Sequence, residues 1–411
     1  MKQTFFSILA ILIAAVGCAA AQSAQDQATG QPWSLRMSDS TMARNPDPVT
    51  LEGGSRQAPR WSYSTAFLIH AIAQAGVEKD QPKYIEYATN YMNAFLDASG
   101  KITAKTYGPD EQTLDDIEPG RLLFLLHEKT GEQRYRATIE ELAAQLRKQP
   151  RTSDGGYWHK NIYPHQMWLD GIFMACPFMV EYGKLTNDPA WHDEAAKQIL
   201  LIAKHTRDKE SGLFYHGWDE SRQQEWADKE TGLSQCVWGR AMGWYSMGII
   251  ETIEELPQDH PRRGELIALF NGLADAVAKV QDPKTGVWYQ VLDQQTREGN
   301  YLESSASAMF VYSFAKGIRL GVLDKKHEST VKKGWEGILE QFIETHADGT
   351  ISLTDTCQVA GLGGRTKRDG SFEYYMSEPR ISDDPKGVAP FILAALEMER
   401  RQEQGSTGIA P

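Results

Sequence analysis

The sequence predicts an all-α fold, and two observations support this prediction. First, eight stretches place apolar residues three and four positions apart, as in helices that bury one face. They are residues 64–76, 119–130, 136–148, 188–206, 237–255, 262–280, 303–317 and 331–345. Second, short turns rich in Asp, Ser and Gly recur between the helices, and their last glycines are at positions 100, 156, 212, 286 and 349.

The spacing of these turns predicts the architecture. Intervals of 56, 56, 74 and 63 residues separate the glycines, which is the length of one helical hairpin with its loops. About six such units fit the chain. A closed ring of six hairpins, an (α/α)6 barrel, explains this count better than an open solenoid, whose end repeats would need polar caps. We expect the short β-turn loops to gather at one mouth of the barrel.

The first 21 residues predict a signal peptide. A positively charged start precedes an apolar run at 5–16 that is too short to span a bilayer, and the alanines at 19–21 form a small-residue cleavage site. We therefore expect a periplasmic or secreted protein whose mature chain begins near Gln22. The alternative is a lipid anchor on Cys18, because Gly17-Cys18 resembles a lipoprotein cleavage site.

The remainder of the chain is predicted to hold one large domain. No linker rich in Pro, Ser or Gly interrupts the apolar periodicity between about residue 61 and residue 396. We assign residues 22–60 to an N-terminal extension, 61–400 to a catalytic barrel and 401–411 to a C-terminal tail. The sequence does not predict an oligomeric state.

Composition excludes several classes of function. A formal net charge of −12 argues against nucleic acid as a partner, and it means that an anionic ligand would need a local cation. Cys176, Cys236 and Cys357 lack CxxC spacing, and the histidines lack metal-ligand spacing, so we expect no metal. The serine-rich stretch 303–308 predicts helix capping and close packing rather than a nucleophile.

One carboxylate stands among aromatic and aliphatic residues in Tyr-Pro-His-Gln-Met-Trp-Leu-Asp-Gly at 163–171. We expect Asp170 to be buried against Trp168 and Phe173, and apolar burial raises the pKa of a carboxyl group. Asp170 is therefore a candidate general acid that holds a proton near neutral pH. The alternative is a helix N-cap, because Asp before Gly is common where a helix starts.

Polar and aromatic residues recur together around Asp170. A sugar ring has an apolar face and a hydroxylated edge, so carbohydrate sites stack Trp or Tyr on the face and hydrogen-bond the edge with polar side chains. The candidate substrate-binding residues are His159, Lys160, His216, Trp238, Arg240 and Trp244. Core packing is the alternative for each tryptophan taken alone.

Five motifs in this order resemble glycoside hydrolase family 105, the unsaturated rhamnogalacturonyl hydrolases, which are related to the unsaturated glucuronyl hydrolases. They are Leu-Asp-Asp-Ile-Glu-Pro-Gly-Arg at 114–121, Gly-Tyr-Trp-His-Lys at 156–160, the stretch 163–171, Tyr-His-Gly-Trp-Asp at 215–219 and Trp-Gly-Arg-Ala-Met-Gly-Trp at 238–244. The resemblance runs from about residue 61 to the end of the chain, and it implies a six-hairpin barrel.

The resemblance also implies a reaction and roles for residues. The family hydrates the C4=C5 double bond that polysaccharide lyases leave in a terminal uronic acid, and it needs no metal or organic cofactor. Asp170 would give a proton to C4 and Asp115 would be the second acid, with Asp116 as the alternative in an uncertain register. His159, Lys160, His216, Trp238 and Arg240 match substrate-contacting positions. The expected ligand is an oligosaccharide ending in an unsaturated uronate.

The substrate and the reaction have alternatives. Met242 stands where relatives often have Asn, so a rhamnogalacturonan disaccharide and an ulvan fragment are both expected substrates. A conventional inverting glycosidase would use two carboxylates around an anomeric carbon. A non-catalytic carbohydrate-binding protein would keep the aromatic residues without needing both Asp115 and Asp170. For Arg240, the two interpretations are recognition of the substrate carboxylate and pairing with a nearby acid at a helix start.

Overall fold

A computed structural model describes residues 30–51, 60–364 and 368–407. The predicted signal peptide and Cys18 lie outside these residues. The described part of the chain contains thirteen α-helices. They are α1 (Trp33–Arg44), α2 (Tyr63–Glu78), α3 (Pro82–Asn93), α4 (Gly120–Thr130), α5 (Gln133–Arg147), α6 (Asp170–Thr186), α7 (Pro189–Thr206), α8 (Gly239–Glu255), α9 (Arg263–Lys279), α10 (Ser304–Arg319), α11 (Glu328–Phe342), α12 (Phe372–Ser377) and α13 (Pro385–Thr407).

Six of these helices form the inner wall of a barrel, as predicted. Helices α2, α4, α6, α8, α10 and α13 follow one another around the ring, and α13 packs against α2 to close it. The inner helices are apolar on nearly all sides: residues 239–253 of α8 and 304–318 of α10 are all buried. A helix that is buried all round belongs inside other helices rather than at a surface. The fold is an (α/α)6 barrel.

The outer helices α3, α5, α7, α9 and α11 each pack on the inner helix that precedes them. The sixth outer helix is α1, which comes from the other end of the chain and packs on α13. Ser34 on α1 donates hydrogen bonds from its backbone N–H and its hydroxyl to the Glu399 carboxylate, at 2.9 and 2.8 Å. Part of the segment assigned to an N-terminal extension therefore completes the last hairpin.

The connections at the two ends of the barrel differ in length. Those from an inner helix to its outer partner are short, such as 79–81 and 131–132, whereas the connections back to the next inner helix run over 94–119, 148–169, 207–238, 280–303 and 343–384. The long connections carry three antiparallel pairs of short strands. These are β1 (Gln166–Trp168) with β2 (Gly217–Asp219), β3 (Ile343–Thr345) with β4 (Ile351–Leu353), and β5 (Thr356–Cys357) with β6 (Arg380–Ile381).

All eight predicted helices are present, with ends that differ by a few residues. The largest difference lies at the end of the stretch 331–345. Helix α11 stops at Phe342, and the next three residues form β3, because Ile343 and Thr345 are β-branched and pair with β4. None of the helices in residues 30–51, 60–364 and 368–407 is long and apolar enough to cross a membrane.

The barrel has a cavity at each end. One, of about 790 Å³, lies among the C-terminal halves of the inner helices and is lined by paired charges. Arg121 contacts Glu251 at 3.0 Å, and Lys316 contacts the same carboxylate at 3.1 Å. Arg319 contacts Glu397 at 2.8 Å. These groups line the cavity and neutralise one another. The second cavity opens at the end with the long connections.

Candidate active site

The first residues of the inner helices converge at the end with the long connections. Asp170 begins α6, Arg240 lies in the first turn of α8, and Glu303 and Asp384 directly precede α10 and α13. Each helix start carries a partial positive charge from aligned peptide dipoles. A cavity surrounded by such helix starts stabilises anionic groups, even in a protein whose formal net charge is −12.

The β1–β2 pair places Asp170 beside His216. Trp168 pairs with Gly217, and the Leu169 N–H donates to the His216 carbonyl at 3.0 Å. The residues just beyond the two strands are therefore neighbours. Asp170 Oδ2 lies 3.2 Å from His216 Nε2. The His216 side chain is fully buried, and that of Asp170 is 14% exposed, which leaves the carboxylate a narrow opening to solvent.

A second backbone pairing places Asp115 beside His159 and Lys160. Thr113 pairs with Lys160, and the Leu114 N–H donates to the His159 carbonyl at 3.1 Å. Asp115 Oδ1 lies 3.4 Å from His159 Nε2, and Asp115 Oδ2 accepts a hydrogen bond from the Lys160 ammonium group. Burial disfavours the charged lysine, but Asp115 outweighs burial and raises the pKa of Lys160.

Aromatic rings flank both histidines. His159 stacks on Trp168, with centroids 4.6 Å apart and planes at 18°. Tyr163 stacks on the same indole at 4.9 Å. His216 lies 4.8 Å from Trp238, whose indole N–H donates to Gln290 Oε1 at 3.1 Å. Both imidazoles thus pack against tryptophan rings, while the two carboxylates beside them stay partly exposed.

The adjoining cavity has a volume of about 780 Å³. Its polar lining comes from the starts of α2 and α13 and from the connections before α4 and α6, and it includes Tyr63, Asp115, Asp116, Lys160, Asp384 and Lys386. Lys386 donates to Asp384 at 2.9 Å, so its charge is partnered. Among the described residues, no group of three or more His, Cys, Asp or Glu side chains is arranged to hold a metal ion.

The ionisation of Asp170 differs from our expectation. Burial raises the pKa of this carboxyl group, as predicted, but the imidazole of His216 and then that of His159 outweigh burial and lower the pKa below its usual value. The prediction of a carboxylic acid protonated in the resting protein was therefore wrong for Asp170. The sequence indicated His159 and His216 as residues of the same site, but it did not reveal that their imidazoles lie close enough to Asp170 to outweigh its burial.

Other carboxyl groups near the cavity do hold protons. Burial, together with the charge of Asp115, raises the pKa of Asp116 to about 8. Burial also raises the pKa of Glu118 to about 8, against the opposing effect of Arg121. Of the two neighbours, Asp115 contacts His159 and Lys160, whereas Asp116 is 7% exposed and its Oδ2 has no hydrogen-bond partner in the described part of the chain.

Arg240 is buried and already has partners. It is 1% exposed, its Nε donates to Ser305 Oγ at 2.9 Å, and its Nη2 lies 3.4 Å from Glu303 Oε1 and donates to the Cys357 carbonyl. Glu303 in turn caps α10 by accepting from the Ala306 N–H at 2.7 Å, as the serine-rich stretch predicted. This arrangement favours pairing with an acid at a helix start as the role of Arg240.

Comparison with known proteins agrees with this geometry. The sequence model of Glycosyl Hydrolase Family 88 matches residues 33–402. A family 105 glycoside hydrolase from C. acetobutylicum is 41% identical, with 90% of this chain and 100% of that chain covered and a TM-score of 0.85. The chain belongs to these glycoside hydrolases. The resemblance to family 105 seen in the sequence is confirmed.

Two relatives of the family illustrate its activities. The unsaturated rhamnogalacturonyl hydrolase YesR of Bacillus subtilis is 25% identical over 84% of this chain and 92% of its own length. An unsaturated 3S-rhamnoglycuronyl hydrolase of Formosa agariphila is 30% identical over 57% of this chain and 58% of its own length. Both are hydrolases of unsaturated sugars by name.

The candidate substrate-binding residue Trp244 and the neighbouring Met242 are both packed inside the barrel. Trp244 is 1% exposed and packs inside the barrel, 4.8 Å from Phe173 and 5.3 Å from Phe67. It reaches the cavity only through Tyr63, whose ring lies 6.3 Å away. Met242 is also fully buried. The motif at 238–244 therefore places Trp238 beside His216 and uses its other large side chains for packing.

Two tyrosines belong to the site although no sequence signal indicated them. Tyr63 lines the cavity, and burial followed by the charge of Asp115 raises its pKa well above the usual value. Tyr375 on α12 contacts His216 Nδ1 with its hydroxyl at 2.7 Å. Both come from helices far from the motifs in sequence, so only the closed ring reveals them.

Proposed function

We propose that this glycoside hydrolase removes a 4,5-unsaturated uronic acid from the non-reducing end of oligosaccharides made by polysaccharide lyases. The observation that supports the proposal is the pair of carboxylates, Asp115 and Asp170, which lie 3.4 Å from His159 and 3.2 Å from His216 beside the cavity. The names of the relatives agree with an unsaturated uronate as the substrate.

The proposed reaction is a hydration of the C4=C5 double bond. Asp170 gives a proton to C4, and the developing positive charge is shared between C5 and the ring oxygen. Water adds to C5 and loses its proton to Asp170 or Asp115 acting as base. The product is a hemiketal at C5, which opens to a ketone and releases the second sugar. One water is consumed. With Asp170 as the base, both carboxylates return to their starting state; with Asp115 as the base, the proton must pass from Asp115 back to Asp170 before the next turnover.

Asp170 must be protonated for the first step, although the free protein holds it as an anion. The substrate carries its own carboxylate on C5, next to the reacting carbons. A second negative charge close to Asp170 raises the pKa of Asp170, because like charges disfavour the ionised form. Substrate binding therefore supplies the condition under which Asp170 takes up a proton.

Lys160 is the better candidate for binding the substrate carboxylate. It lines the cavity and its ammonium group lies next to Asp115, whereas Arg240 is buried and paired with Glu303. Helix starts around the cavity add partial positive charge. We therefore assign carboxylate recognition to Lys160 and a supporting role to Arg240.

The rim of the cavity indicates the leaving sugar. Ile162 is 71% exposed and Val359 is 46% exposed, and both line the cavity. Exposed aliphatic groups at a sugar site favour an apolar substituent such as the methyl group of a 6-deoxyhexose. This favours a rhamnose-containing disaccharide of the rhamnogalacturonan type, and a sulfated rhamnose of the ulvan type is the second candidate.

The direct test follows the ultraviolet absorbance of the conjugated double bond. Lyase-generated disaccharides with plain and sulfated second sugars are incubated with the protein, and absorbance is expected to fall as the sugar is released. Asp170→Asn keeps the shape but cannot donate a proton, so a loss of at least ~100-fold is expected. Release of sugar with unchanged absorbance would identify attack at the anomeric carbon, and binding without release would identify a carbohydrate-binding protein.

We also propose that the protein is exported. The support is the predicted signal peptide at residues 1–21. The mature protein is expected in a periplasmic or secreted fraction with its N-terminus near Gln22. Labelling of Cys18 by a fatty acid would instead establish the lipid-anchored form.

A further inference from the structure

His216 contacts one polar group at each ring nitrogen. Its Nδ1 lies 2.7 Å from the Tyr375 hydroxyl, and its Nε2 lies 3.2 Å from Asp170 Oδ2. His216 and Tyr375 are both fully buried. His216 Nε2 and Asp170 Oδ2 are both buried, and within the described residues neither makes a well-aligned hydrogen bond, so their 3.2 Å contact stands without a competing partner on either atom. The three side chains therefore form a linear chain of contacts.

The positions of the protons determine which group donates in the contacts between Tyr375, His216 and Asp170. Burial raises the pKa of Tyr375 well above its usual value, so its hydroxyl keeps its proton. When the His216 imidazole carries one proton, a hydrogen bond donated by Tyr375 to Nδ1 leaves that proton on Nε2, where it faces the Asp170 carboxylate. Every contact then holds one proton. The opposite tautomer would aim an unprotonated nitrogen at a carboxylate, with two lone pairs in contact.

We propose that Tyr375 is a positioning residue that fixes the tautomer of His216 and thereby makes His216 a donor to Asp170. The expected effect of Tyr375 on turnover rests on the proposed function. The tautomer itself is a property of the free protein. Tyr375 touches neither the cavity nor the reacting carbons, and it acts through His216.

Other titratable groups lie close to Asp170 and Tyr375. Asp170 is also within the electrostatic influence of His159 and Tyr63, and Tyr375 within that of Cys236, Cys357 and Tyr374. Burial lowers the pKa of His159 to about 4, so this second imidazole is neutral at neutral pH. Burial raises the pKa of both cysteines, so they are neutral as well. His216 is thus the main group that orients a proton towards Asp170.

The first test needs no substrate. Protein labelled with ¹⁵N in its histidines is observed by NMR, and the His216 signals are assigned by their loss in His216→Gln. The wild type is expected to show the tautomer protonated on Nε2. In Tyr375→Phe, which loses only the hydroxyl, a mixture of tautomers is expected. A wild-type His216 protonated on Nδ1 would overturn the proposal, whether or not the variant folds.

The second test uses turnover. If His216 no longer donates to Asp170, the anionic carboxylate loses a charge-assisted hydrogen bond, so Asp170 keeps its proton to a pH about one unit higher. The decline of kcat/KM with rising pH is expected to begin at correspondingly higher pH in Tyr375→Phe. A uniform loss of rate with an unchanged pH profile would overturn the positioning role and indicate packing alone.

Tyr374→Phe is the matched control. Tyr374 lies on the same helix, its ring is 5.2 Å from that of Tyr375, and its hydroxyl accepts a hydrogen bond from the Gly361 N–H at 3.0 Å. This variant also loses one phenolic hydroxyl but leaves His216 in place. Neither the tautomer nor the pH profile is expected to change. If the wild type shows no loss of absorbance on any uronate, the proposed function fails while the NMR result still decides the role of Tyr375.

Discussion

Asp170 shows how a single residue can be surrounded by apolar groups and still be an anion. Trp168 and Phe173 lie nearby, but the pKa is lowered because His216 and His159 outweigh burial. The carboxylate and its apolar neighbours could be predicted, since these residues are adjacent in the chain. The motifs also indicated both histidines, but the contact with the carboxylate depends on backbone pairing, which for His216 joins residues 40 or more positions apart. The ionisation state of Asp170 could therefore not be predicted from its neighbours in the sequence.

The ionisation of Asp170 predicts a difference between two pH profiles. The acid form of Asp170 starts the reaction, so activity falls as pH rises through its pKa. The profile of kcat/KM reports the free protein, in which that pKa is lowered, whereas kcat reports the complex, in which the substrate carboxylate raises it. The decline of kcat/KM is expected at lower pH than that of kcat. Coincident declines would mean that substrate binding does not change the protonation of Asp170.

Arg240 predicts an effect on stability rather than on substrate recognition. In Arg240→Gln the Glu303 carboxylate stays buried without its cation, and breaking a buried pair in this way costs about 3–5 kcal/mol of unfolding free energy. Chemical denaturation measures the loss. The double variant Arg240→Gln/Glu303→Gln removes both charges and is expected to recover part of it. If esterifying the substrate abolishes the difference in kcat/KM between wild type and Arg240→Lys, Arg240 binds the substrate carboxylate, contrary to this prediction.

At the scale of elements, the recurring turns explain why their glycines are needed. Gly100, Gly155, Gly212, Gly286 and Gly349 all have positive φ angles, between 77° and 94°. Aspartate side chains close several of these turns, as when Asp282 accepts from the Thr285 N–H at 2.8 Å. In the second turn the strained position is Gly155, whereas the pattern of the sequence pointed to Gly156.

Two of these glycines make a matched pair for measurement. A Cβ on Gly286 would lie 2.4 Å from the Lys333 carbonyl oxygen, whereas a Cβ on Gly349 would meet nothing within 4 Å. Both Ala variants suffer the strain of a positive φ, which costs about 1–2 kcal/mol. Gly286→Ala is expected to lose a further ~1–3 kcal/mol, because α11 must move away. Equal unfolding free energies for the two variants would show that the close packing of α11 contributes nothing.

Five helices of the described chain were not among the predicted ones. Helix α6 is buried on all sides and contains Pro177, so it shows neither a polar face nor an uninterrupted pattern. Helix α13 contains Pro390, and α12 has only six residues. Helix α1 has few apolar residues and is held by packing on α13. Helix α3 does show apolar spacing, with Tyr84, Tyr87, Ala88, Tyr91 and Met92 buried on one face, so its omission from the predicted helices was wrong. Periodicity finds helices with one apolar face, and it misses those that tertiary contacts define.

For the whole molecule, buried carboxyl groups predict how stability depends on pH. The pKa is raised to about 8 for Asp116 and Glu118 and to about 7 for Glu181, chiefly by burial. In the unfolded chain these groups ionise near pH 4. The folded protein therefore binds more protons than the unfolded chain, and its stability falls as pH rises through the raised values.

The window for this effect lies between about pH 6.5 and 8. Burial lowers the pKa of His70 to about 3 and that of His159 to about 4 in the folded protein. Below pH 6.5 these histidines therefore bind protons mainly in the unfolded chain, and this opposes the effect of the buried carboxyl groups on stability. Above pH 6.5 the histidines of the unfolded chain lose most of their remaining protons, so this offset fades as pH rises. The melting temperature is expected to fall as pH rises from 6.5 to 8. The fall is expected to be smaller in Glu118→Gln, which lacks one of the buried carboxyl groups. A melting temperature that rises across this window would contradict the raised values.

The hairpin formed by α1 and α13 has a consequence for folding kinetics. The hydrogen bonds between Ser34 and Glu399 join residues 365 positions apart. Five hairpins contain only local contacts and can form independently, but closing the ring requires a loop that spans nearly the whole chain. Long-range contacts of this kind slow folding, because their entropy is lost before their packing is gained. The rate-limiting step of folding is therefore the meeting of two distant segments, and a partly folded chain with its ring open exposes the apolar faces of α2 and α10.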